Sequence, residues 1–269
     1  MRELVLGGDG LIGSELSKQL KMKGHEVVSL DLKSGTDLRY VDNRPYMECD
    51  RVWFLAWDTG GAKYHSASDK QHQMFKHNSE LSARVFDALA ETKKPFLFVT
   101  SQLAGQPTAY GLTKLMAEKW ADQLGGRIAR LWNTFGWEDP DARSHVITDL
   151  VISGLTQGVV RTMTTGEERR RFIYKSDCAR NLIEFFDGDL RKIDIAGDRW
   201  IKIRELASEV ASQLNVDMAT GALPGEEVMI DPDVTASNHN NRIPIPEGVR
   251  LVIEDARRYL ESRALTSNP

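Results

Sequence analysis

The sequence has few of the features that mark secreted, disulfide-stabilised or membrane proteins. Its 269 residues include only two cysteines, Cys49 and Cys178, which stand far apart, each in or beside an apolar segment. We therefore expect two buried free thiols rather than a disulfide or a metal-binding pair. No apolar run approaches the roughly 20 residues that span a bilayer. Because Met1-Arg2-Glu3 leads straight into a predicted strand, we expect no secretory signal, no membrane anchor and a cytoplasmic location.

An excess of positive charge and a metal-binding motif are also missing. The formal net charge is −4 and the sequence pI is about 5.9, which disfavours nucleic acid or an anionic membrane as the main partner. His65, His72 and His77 lie in a polar stretch that lacks a metal-ligand spacing such as His-Glu-x-x-His. A solvated surface is the favoured interpretation of this stretch, and we predict no metal site.

What the sequence does contain is an alternation of apolar strands and amphipathic helices. The strand 96–101 is apolar along its length, as expected when both faces of a sheet are covered. Helices are predicted at 78–90 and from about Tyr110 to 124, and the Asn- and Pro-rich stretch 238–248 predicts an irregular surface segment. Trp53 and Trp57 are interpreted as core residues rather than ligand contacts. This order predicts an α/β fold with a doubly wound parallel sheet.

The first 31 residues contain a unit typical of dinucleotide-binding proteins. A strand is followed by the loop Gly7-Gly8-Asp9-Gly10-Leu11-Ile12-Gly13, a helix, and a second strand that ends at Asp31. Gly7 permits a tight turn, Gly10 lets the backbone approach a pyrophosphate, and Gly13 allows close packing of helix on strand. The helix opening at Leu11 and Ile12 presents its positive end to phosphates, and Asp31 can accept hydrogen bonds from a ribose. A glycine loop alone could be a plain turn, but the complete unit favours a bound dinucleotide.

A second group of residues indicates proton transfer from a hydroxyl. Tyr110 and Lys114 lie one helical turn apart, and Ser101 ends the preceding strand. A phenol has an ordinary pKa of ~10, and a nearby ammonium would favour the phenolate that serves as a base. Alone, Tyr110 could be an ordinary aromatic helix residue and Lys114 a surface charge. Downstream of a dinucleotide loop, the catalytic interpretation is favoured.

At this point nearly the whole sequence resembles the extended short-chain dehydrogenase/reductase family, specifically its NAD-dependent nucleotide-sugar epimerases and dehydratases. The resemblance implies a Rossmann-type domain with a smaller C-terminal substrate-binding region. It implies a catalytic Ser101, Tyr110 and Lys114, and an Asn78 that opens a helix beside the cofactor. Further cofactor contacts are implied at Asp37, Leu38, Leu55 and Ala56, and also at Tyr110 and Lys114. Substrate contacts are implied at Asp58, Gly60, Gly61, Ser101, Gln102 and Asn133, and at Arg170 as a diphosphate clamp.

Departures from the family pattern restrict the reactions that this sequence could catalyse. Sugar dehydratases of this family carry an Asp-Glu pair directly after the hydroxyl residue, whereas here Gln102-Leu103 follows Ser101. GDP-mannose 3,5-epimerases carry a cysteine after the serine strand, and this chain has none there. Asp58-Thr59-Gly60-Gly61 nevertheless is similar to an Asp-Met-Gly-Gly segment of those epimerases. The sequence does contain the groups needed for reversible oxidation of one hydroxyl, namely the base Tyr110, its neighbour Lys114 and the hydrogen-bond donor Ser101.

These observations lead to the following expectations. We expect an NAD-binding domain over 1–135 with strand segments near 170–197, and a nucleotide-sugar-binding region over 136–169 and 198–269. Asp31 favours NAD over NADP, with Lys33 the nearby cation. The expected activity is epimerisation or oxidoreduction at the sugar C4 hydroxyl. A dehydratase, a keto-sugar reductase and a non-catalytic NAD-binding sensor or partner protein remain the alternatives. The resemblance also implies a homodimer through a four-helix interface formed by the helices near 78–90 and 110–124.

Overall fold

The computed structural model describes residues 1–59, 68–140, 145–226, 232 and 241–266. The chain divides into two compact units. The first comprises the described residues of Met1–Trp132, Cys178–Ile195 and Pro232–His239, and the second those of Asn133–Asp177, Ala196–Asp231 and Asn240–Pro269. Each unit has a hydrophobic core of its own.

A parallel sheet of six strands organises the first unit. Its members are β1 (Arg2–Leu6), β2 (Glu26–Leu30), β3 (Arg51–Phe54), β4 (Phe96–Ser101), β5 (Arg127–Leu131) and β10 (Lys192–Ile195). Their spatial order is β10-β5-β4-β3-β1-β2, so the chain reverses direction across the sheet between β1 and β3. In open parallel sheets ligands bind outside the carboxyl ends of the strands at such a reversal. The predicted α/β fold with a doubly wound parallel sheet is confirmed.

Helices cover this sheet and bury its apolar strands. They are α1 (Leu11–Met22), α2 (Arg44–Glu48), α3 (Ser68–Thr92), α4 (Ala109–Gln123) and, over its residues 178–187, α6 (Lys175–Asp187). β3 and β4 are buried at every position, as expected for strands covered on both faces. In the core, Phe86 packs edge to face against Phe54 and Phe98, and the rings of Phe54 and Phe98 are tilted against each other.

Two of the predicted element boundaries are wrong. The helix expected at 78–90 is α3, which begins ten residues earlier at Ser68, so Asn78 lies inside it and does not open it. Buried Met74 extends the apolar face of α3 by one turn, and the polar residues around it are good helix formers. The stretch 238–248 was expected to be irregular, but a helix begins within it at Ile245.

The described part of the second unit combines short strands with three helices. Its strand pairs are β6 (Thr134–Phe135) with β9 (Ile173–Tyr174), β7 (Val159–Arg161) with β12 (Asp217–Ala219), and β8 (Arg169–Arg170) with β11 (Ile201–Lys202). Its helices are α5 (Val146–Gln157), α7 (Ile203–Leu214) and α8 (Ile245–Thr266). The buried Asp177 carboxylate accepts the backbone N–H groups of Arg242 and Ile243, which fixes the segment before α8.

The structure also bears on the cysteines, on membrane-spanning helices and on metal binding. Cys49 and Cys178 are both buried, as predicted, and they form no disulfide with each other. Within the described ranges, no helix is both long enough and apolar enough to cross a bilayer. The same part of the chain contains no group of three His, Cys, Asp or Glu side chains that could hold a metal ion.

Candidate active site

The glycine loop lies between β1 and α1, and two of its positions require glycine. Gly7 has a φ of 88°, and a Cβ there would lie 2.5 Å from the backbone nitrogen of Ala56. A Cβ on Gly13 would lie 2.1 Å from the carbonyl oxygen of Gly7. Real Cβ atoms do not approach backbone so closely, so any side chain at either position would force the loop apart. The structure thus supports the turn and packing roles predicted for Gly7 and Gly13.

The start of α1 is left open for an anion. Gly10 is the N-cap residue, no side chain caps the helix, and its first turn contains no acidic residue. The backbone N–H groups at Leu11, Ile12 and Gly13 therefore keep their positive partial charge. A Cβ on Gly10 would meet only the Gly7 carbonyl oxygen, at 3.4 Å, which leaves room above the loop. These features fit the pyrophosphate of NAD.

Asp31 is held in a fixed orientation at the end of β2. One oxygen of its carboxylate accepts the backbone N–H of Lys33 at 2.8 Å, and the other accepts that of Asp9 at 3.0 Å. The Lys33 ammonium donates to the Asp9 carbonyl oxygen at 3.2 Å. Each carboxylate oxygen keeps a further lone pair for a ribose hydroxyl. The contacts to Asp9 join Asp31 to the glycine loop, as a dinucleotide site requires.

The side chains of Asp37 and Leu38 are both engaged within the protein. The Asp37 carboxylate pairs with the Arg39 guanidinium, with the closest N–O distance at 2.6 Å, and this hydrogen bond lowers the pKa of Asp37. The Leu38 side chain is 4% exposed and belongs to the hydrophobic core. An adenine contact at this turn therefore stays a prediction, and the Leu38 side chain faces inward.

A buried amide holds the segment that follows β3. Asn78 is fully buried, and its carbonyl oxygen accepts the Asp58 N–H at 3.0 Å while its amide nitrogen donates to the Asp58 carbonyl at 3.1 Å. At the other end of the segment, the N–H groups of Leu55 and Ala56 donate to the Leu6 carbonyl at 2.9 and 2.8 Å. The segment is thereby held at both ends, and Ala56 at its start lies beside Gly7. The predicted substrate residues Gly60 and Gly61 lie outside the described residues.

Ser101 and Tyr110 are brought together by a tight loop between β4 and α4. Ser101 ends β4, and its hydroxyl accepts the Leu103 N–H at 3.1 Å. A Cβ on Gly111 would lie 2.5 Å from the Gln106 carbonyl oxygen, so glycine lets this loop pack against the first turn of α4. The Ser101 hydroxyl hydrogen-bonds the Tyr110 phenol. Gln102, the adjoining predicted substrate residue, is partly exposed.

Lys114 is buried one turn after Tyr110. It is 2% exposed, and its ammonium donates to the Val99 carbonyl oxygen at 2.7 Å. The ammonium nitrogen lies 6.0 Å from the centre of the Tyr110 ring. Ser101, Tyr110 and Lys114 therefore form one group at the carboxyl end of β4, as predicted from the sequence.

Burial moves the pKa values of both ionisable groups away from the charged forms. It lowers the pKa of the Lys114 ammonium well below its ordinary value. Burial raises the pKa of the Tyr110 phenol, and the Ser101 hydrogen bond opposes that rise. The sequence predicted that Lys114 would lower the pKa of Tyr110. In the structure the pKa of Tyr110 is raised instead, because removal of the phenol from water favours its neutral form.

Asn133 and Arg170 belong to the second unit, where backbone contacts orient them. The Asn133 amide donates to the Arg171 carbonyl at 3.2 Å. The Arg170 guanidinium donates to the carbonyl oxygens of Arg169 and Glu226 at 2.8 and 2.6 Å. A guanidinium is planar and always charged, and its parallel N–H groups match the geometry of a phosphate.

One residue of the site was missed by the sequence prediction. Trp57, assigned to the core, has its ring centre 4.0 Å from the Lys114 ammonium nitrogen. The apolar alternation around Trp57 indicates burial and nothing more. The contact arises because the carboxyl ends of β3 and β4 are neighbours in the sheet, which the sequence of the segment alone does not show.

Comparison with protein families gives an independent result. A family model described as the NAD dependent epimerase/dehydratase family matches residues 3–188, more than half of the chain. That range contains the glycine loop, Asp31, Ser101, Tyr110 and Lys114.

Individual relatives are distant in sequence. The chain is 23% identical over 279 residues to GDP-mannose 3,5-epimerase 1 of Oryza sativa subsp. indica, covering 84% of this chain and 72% of that protein. It is 22% identical over 317 residues to UDP-glucuronic acid decarboxylase 1 of Danio rerio, covering 98% of this chain and 74% of that protein. The structure of UDP-glucuronic acid 4-epimerase from Bacillus cereus, solved with UDP-glucuronic acid and NAD, matches with a TM-score of 0.83. The two chains are 19% identical, and the match covers 96% of this chain and all of that one.

Proposed function

The chain belongs to the NAD-dependent epimerase/dehydratase family, and from that premise we propose that it oxidises and re-reduces the C4 hydroxyl of a nucleotide-diphosphate sugar. The observation that carries the proposal is the group of Ser101, Tyr110 and buried Lys114 at the carboxyl end of β4. A protein that only senses a dinucleotide needs no phenol hydrogen-bonded to a serine beside a buried lysine. The non-catalytic alternative is therefore disfavoured.

In the proposed mechanism Tyr110 takes the proton of the sugar hydroxyl. Bound NAD supplies the hydride acceptor and donor at the sugar carbon. The Ser101 hydroxyl holds the substrate oxygen in line with the phenol, and the Lys114 charge stabilises the phenolate. The glycine loop, the open start of α1 and Asp31 would hold the dinucleotide. Return of the hydride to the opposite face gives the 4-epimer, and release of the keto sugar gives net oxidoreduction.

The absence of an acid–base pair after Ser101 favours this chemistry over dehydration. Dehydration of a 4-keto sugar requires one group to remove the C5 proton and another to protonate the departing hydroxyl. Gln102 and Leu103 can do neither. A dehydratase of the same family is therefore the weaker candidate, and a keto-sugar reductase remains the related one.

We further propose that the second unit binds the nucleotide sugar, with Asn133 and Arg170 on its diphosphate. The orientation of both side chains by backbone carbonyls supports this assignment. The relatives named above act on UDP- or GDP-linked sugars by their names, which supports the same substrate class. We also propose a cytoplasmic location, which fits two buried cysteines that form no disulfide with each other.

The variant Tyr110→Phe tests the catalytic role directly. It removes one oxygen and keeps the ring, so the fold and the dissociation constant for NAD should persist. General-base catalysis contributes about 10²–10⁴-fold, and turnover of the nucleotide sugar should fall by that factor. Circular dichroism and NAD titration serve as controls. Wild-type turnover in this variant would refute the assignment and direct attention to Asp58.

A further inference from the structure

The environment of the Lys114 ammonium is aromatic rather than ionic. Its nitrogen lies 4.0 Å from the centre of the Trp57 ring and 4.9 Å from that of the Phe98 ring. Its one hydrogen bond in the described structure goes to the neutral Val99 carbonyl. Among the residues that the structure describes, no carboxylate forms an ion pair with it. A buried cation in such a place depends on the aromatic faces for its stabilisation.

The Trp57 indole is held so that it presents a ring face to this ammonium. It packs against Phe98 with ring centres 5.6 Å apart and against Phe54 with ring centres 6.1 Å apart. The indole nitrogen is buried and has no hydrogen-bond partner among the described residues. Burying an unpaired N–H costs free energy that phenylalanine or leucine would avoid. Core packing alone therefore does not account for tryptophan at this position.

We propose that Trp57 is a positioning residue that stabilises the charged form of Lys114 beneath the catalytic tyrosine. Indole attracts a cation over its face more strongly than the other aromatic rings, and burial increases that attraction. The contact opposes the desolvation that favours the neutral amine, and so keeps a positive charge available to the Tyr110 phenolate. This role depends on the proposed function in one respect, which is that Lys114 stabilises the phenolate of Tyr110.

The other charged groups around Lys114 do not replace this contact. Tyr110, on the same helix, is neutral until it loses its proton. Asp58 adjoins Trp57 in the chain, and its backbone is held by Asn78. Glu118, one turn further along α4, is paired with Arg130 at 3.0 Å. The Ser101 hydroxyl carries no charge. Loss of the indole should therefore lower the pKa of Lys114 and make the phenolate harder to form.

Fluorescence of the protein without cofactor or substrate tests the contact itself. An ammonium over an indole alters its emission, so wild-type emission should show a pH step at the deprotonation of Lys114, below the ordinary lysine range. The step should be absent in Trp57→Phe and in Lys114→Met. Trp120→Phe is the matched control, because Trp120 packs on Phe86 in the same core, and it should keep the step. Absence of a step in the wild type, or its survival in Lys114→Met, would overturn the proposal.

The pH profile of kcat then distinguishes a positioning role of Trp57 from a purely structural one. Trp57→Leu should move the acid limb of the profile to higher pH, and a shift of one unit reduces the rate about tenfold at each pH below the midpoint. Trp57→Phe should give a smaller shift, and Trp120→Leu none. An equal loss of kcat at every pH in Trp57→Leu would show a structural role only and contradict the proposal. Because the fluorescence assay uses no substrate, it remains decisive even if the proposed activity is wrong.

Discussion

At the scale of single residues, the site contains two groups whose burial opposes their charged forms. The buried Lys114 ammonium contacts one carbonyl and two aromatic faces, and the buried Tyr110 phenol hydrogen-bonds the Ser101 hydroxyl. Removal from water disfavours the charged form of both groups, and this cost opposes folding. Residues that lower stability in this way are characteristic of functional sites.

Replacing the buried lysine should therefore stabilise the protein while removing its activity. Burial lowers the pKa of Lys114 in the folded protein below its value in the unfolded chain. At a pH between these two values, Lys114 is protonated in the unfolded chain but not in the folded protein. The wild-type free energy of unfolding accordingly rises with pH across that interval. Lys114→Met should flatten this rise and increase the Tm at neutral pH, by about 2–4 °C for each ~1 kcal/mol recovered.

Thermal unfolding at several pH values, without cofactor, measures this effect. Lys119→Met is the control, because Lys119 lies on the same helix but is exposed, and its Tm should not change. A lower Tm in Lys114→Met than in the wild type would contradict the account of Lys114 as a destabilising buried charge.

At the scale of elements, the sequence predicted what local chemistry determines and missed what depends on distant packing. The glycine loop and the strand end at Ser101 follow from short-range requirements, and the structure shows both. The predicted start of α3 was wrong because the sequence before Asn78 is polar, and a single buried residue, Met74, shows that the helix packs on the core there. The position of Trp57 against Lys114 depends on the pairing of β3 with β4, which joins segments about forty residues apart.

The buried amide of Asn78 gives an element-scale prediction. Asn78→Ala would leave the N–H and carbonyl groups of Asp58 without their partner, which costs about 1–3 kcal/mol for a buried polar group. Because the segment from Leu55 to Asp58 lies beside Gly7, NAD should also bind more weakly. Chemical denaturation and cofactor titration measure the two effects.

A neighbouring substitution supplies the comparison. Ser82→Ala removes a hydroxyl whose one bond among the described residues goes to the Asn78 carbonyl within α3, so NAD affinity should stay at the wild-type value. If Asn78→Ala keeps both wild-type stability and wild-type NAD affinity, Asn78 does not hold the segment as described.

At the scale of the whole molecule, a dimer through α3 and α4 remains a prediction. Apolar side chains on these helices are exposed, namely Phe75 and Leu112 at 46% each and Met116 at 37%. Leu112 and Met116 lie one turn apart and share a face of α4. We expect sedimentation to show a dimer at micromolar concentration, and Leu112→Glu with Met116→Glu to give a monomer. Leu32→Glu, at an exposed leucine outside both helices, should remain dimeric; a wild-type monomer would refute the interface.

The measurement that most directly tests the central claim is the fate of hydrogen on the sugar ring. The enzyme is incubated with NAD and a UDP- or GDP-linked sugar in heavy water, and the product is analysed by nuclear magnetic resonance. If hydride leaves C4 and returns to it, the product is the 4-epimer, and no solvent deuterium enters its ring. Tyr110→Phe should form this product about 10²–10⁴-fold more slowly. Deuterium at C3 or C5 of the epimer, or a product that has lost water, would contradict reversible oxidation at C4 as the activity of this protein.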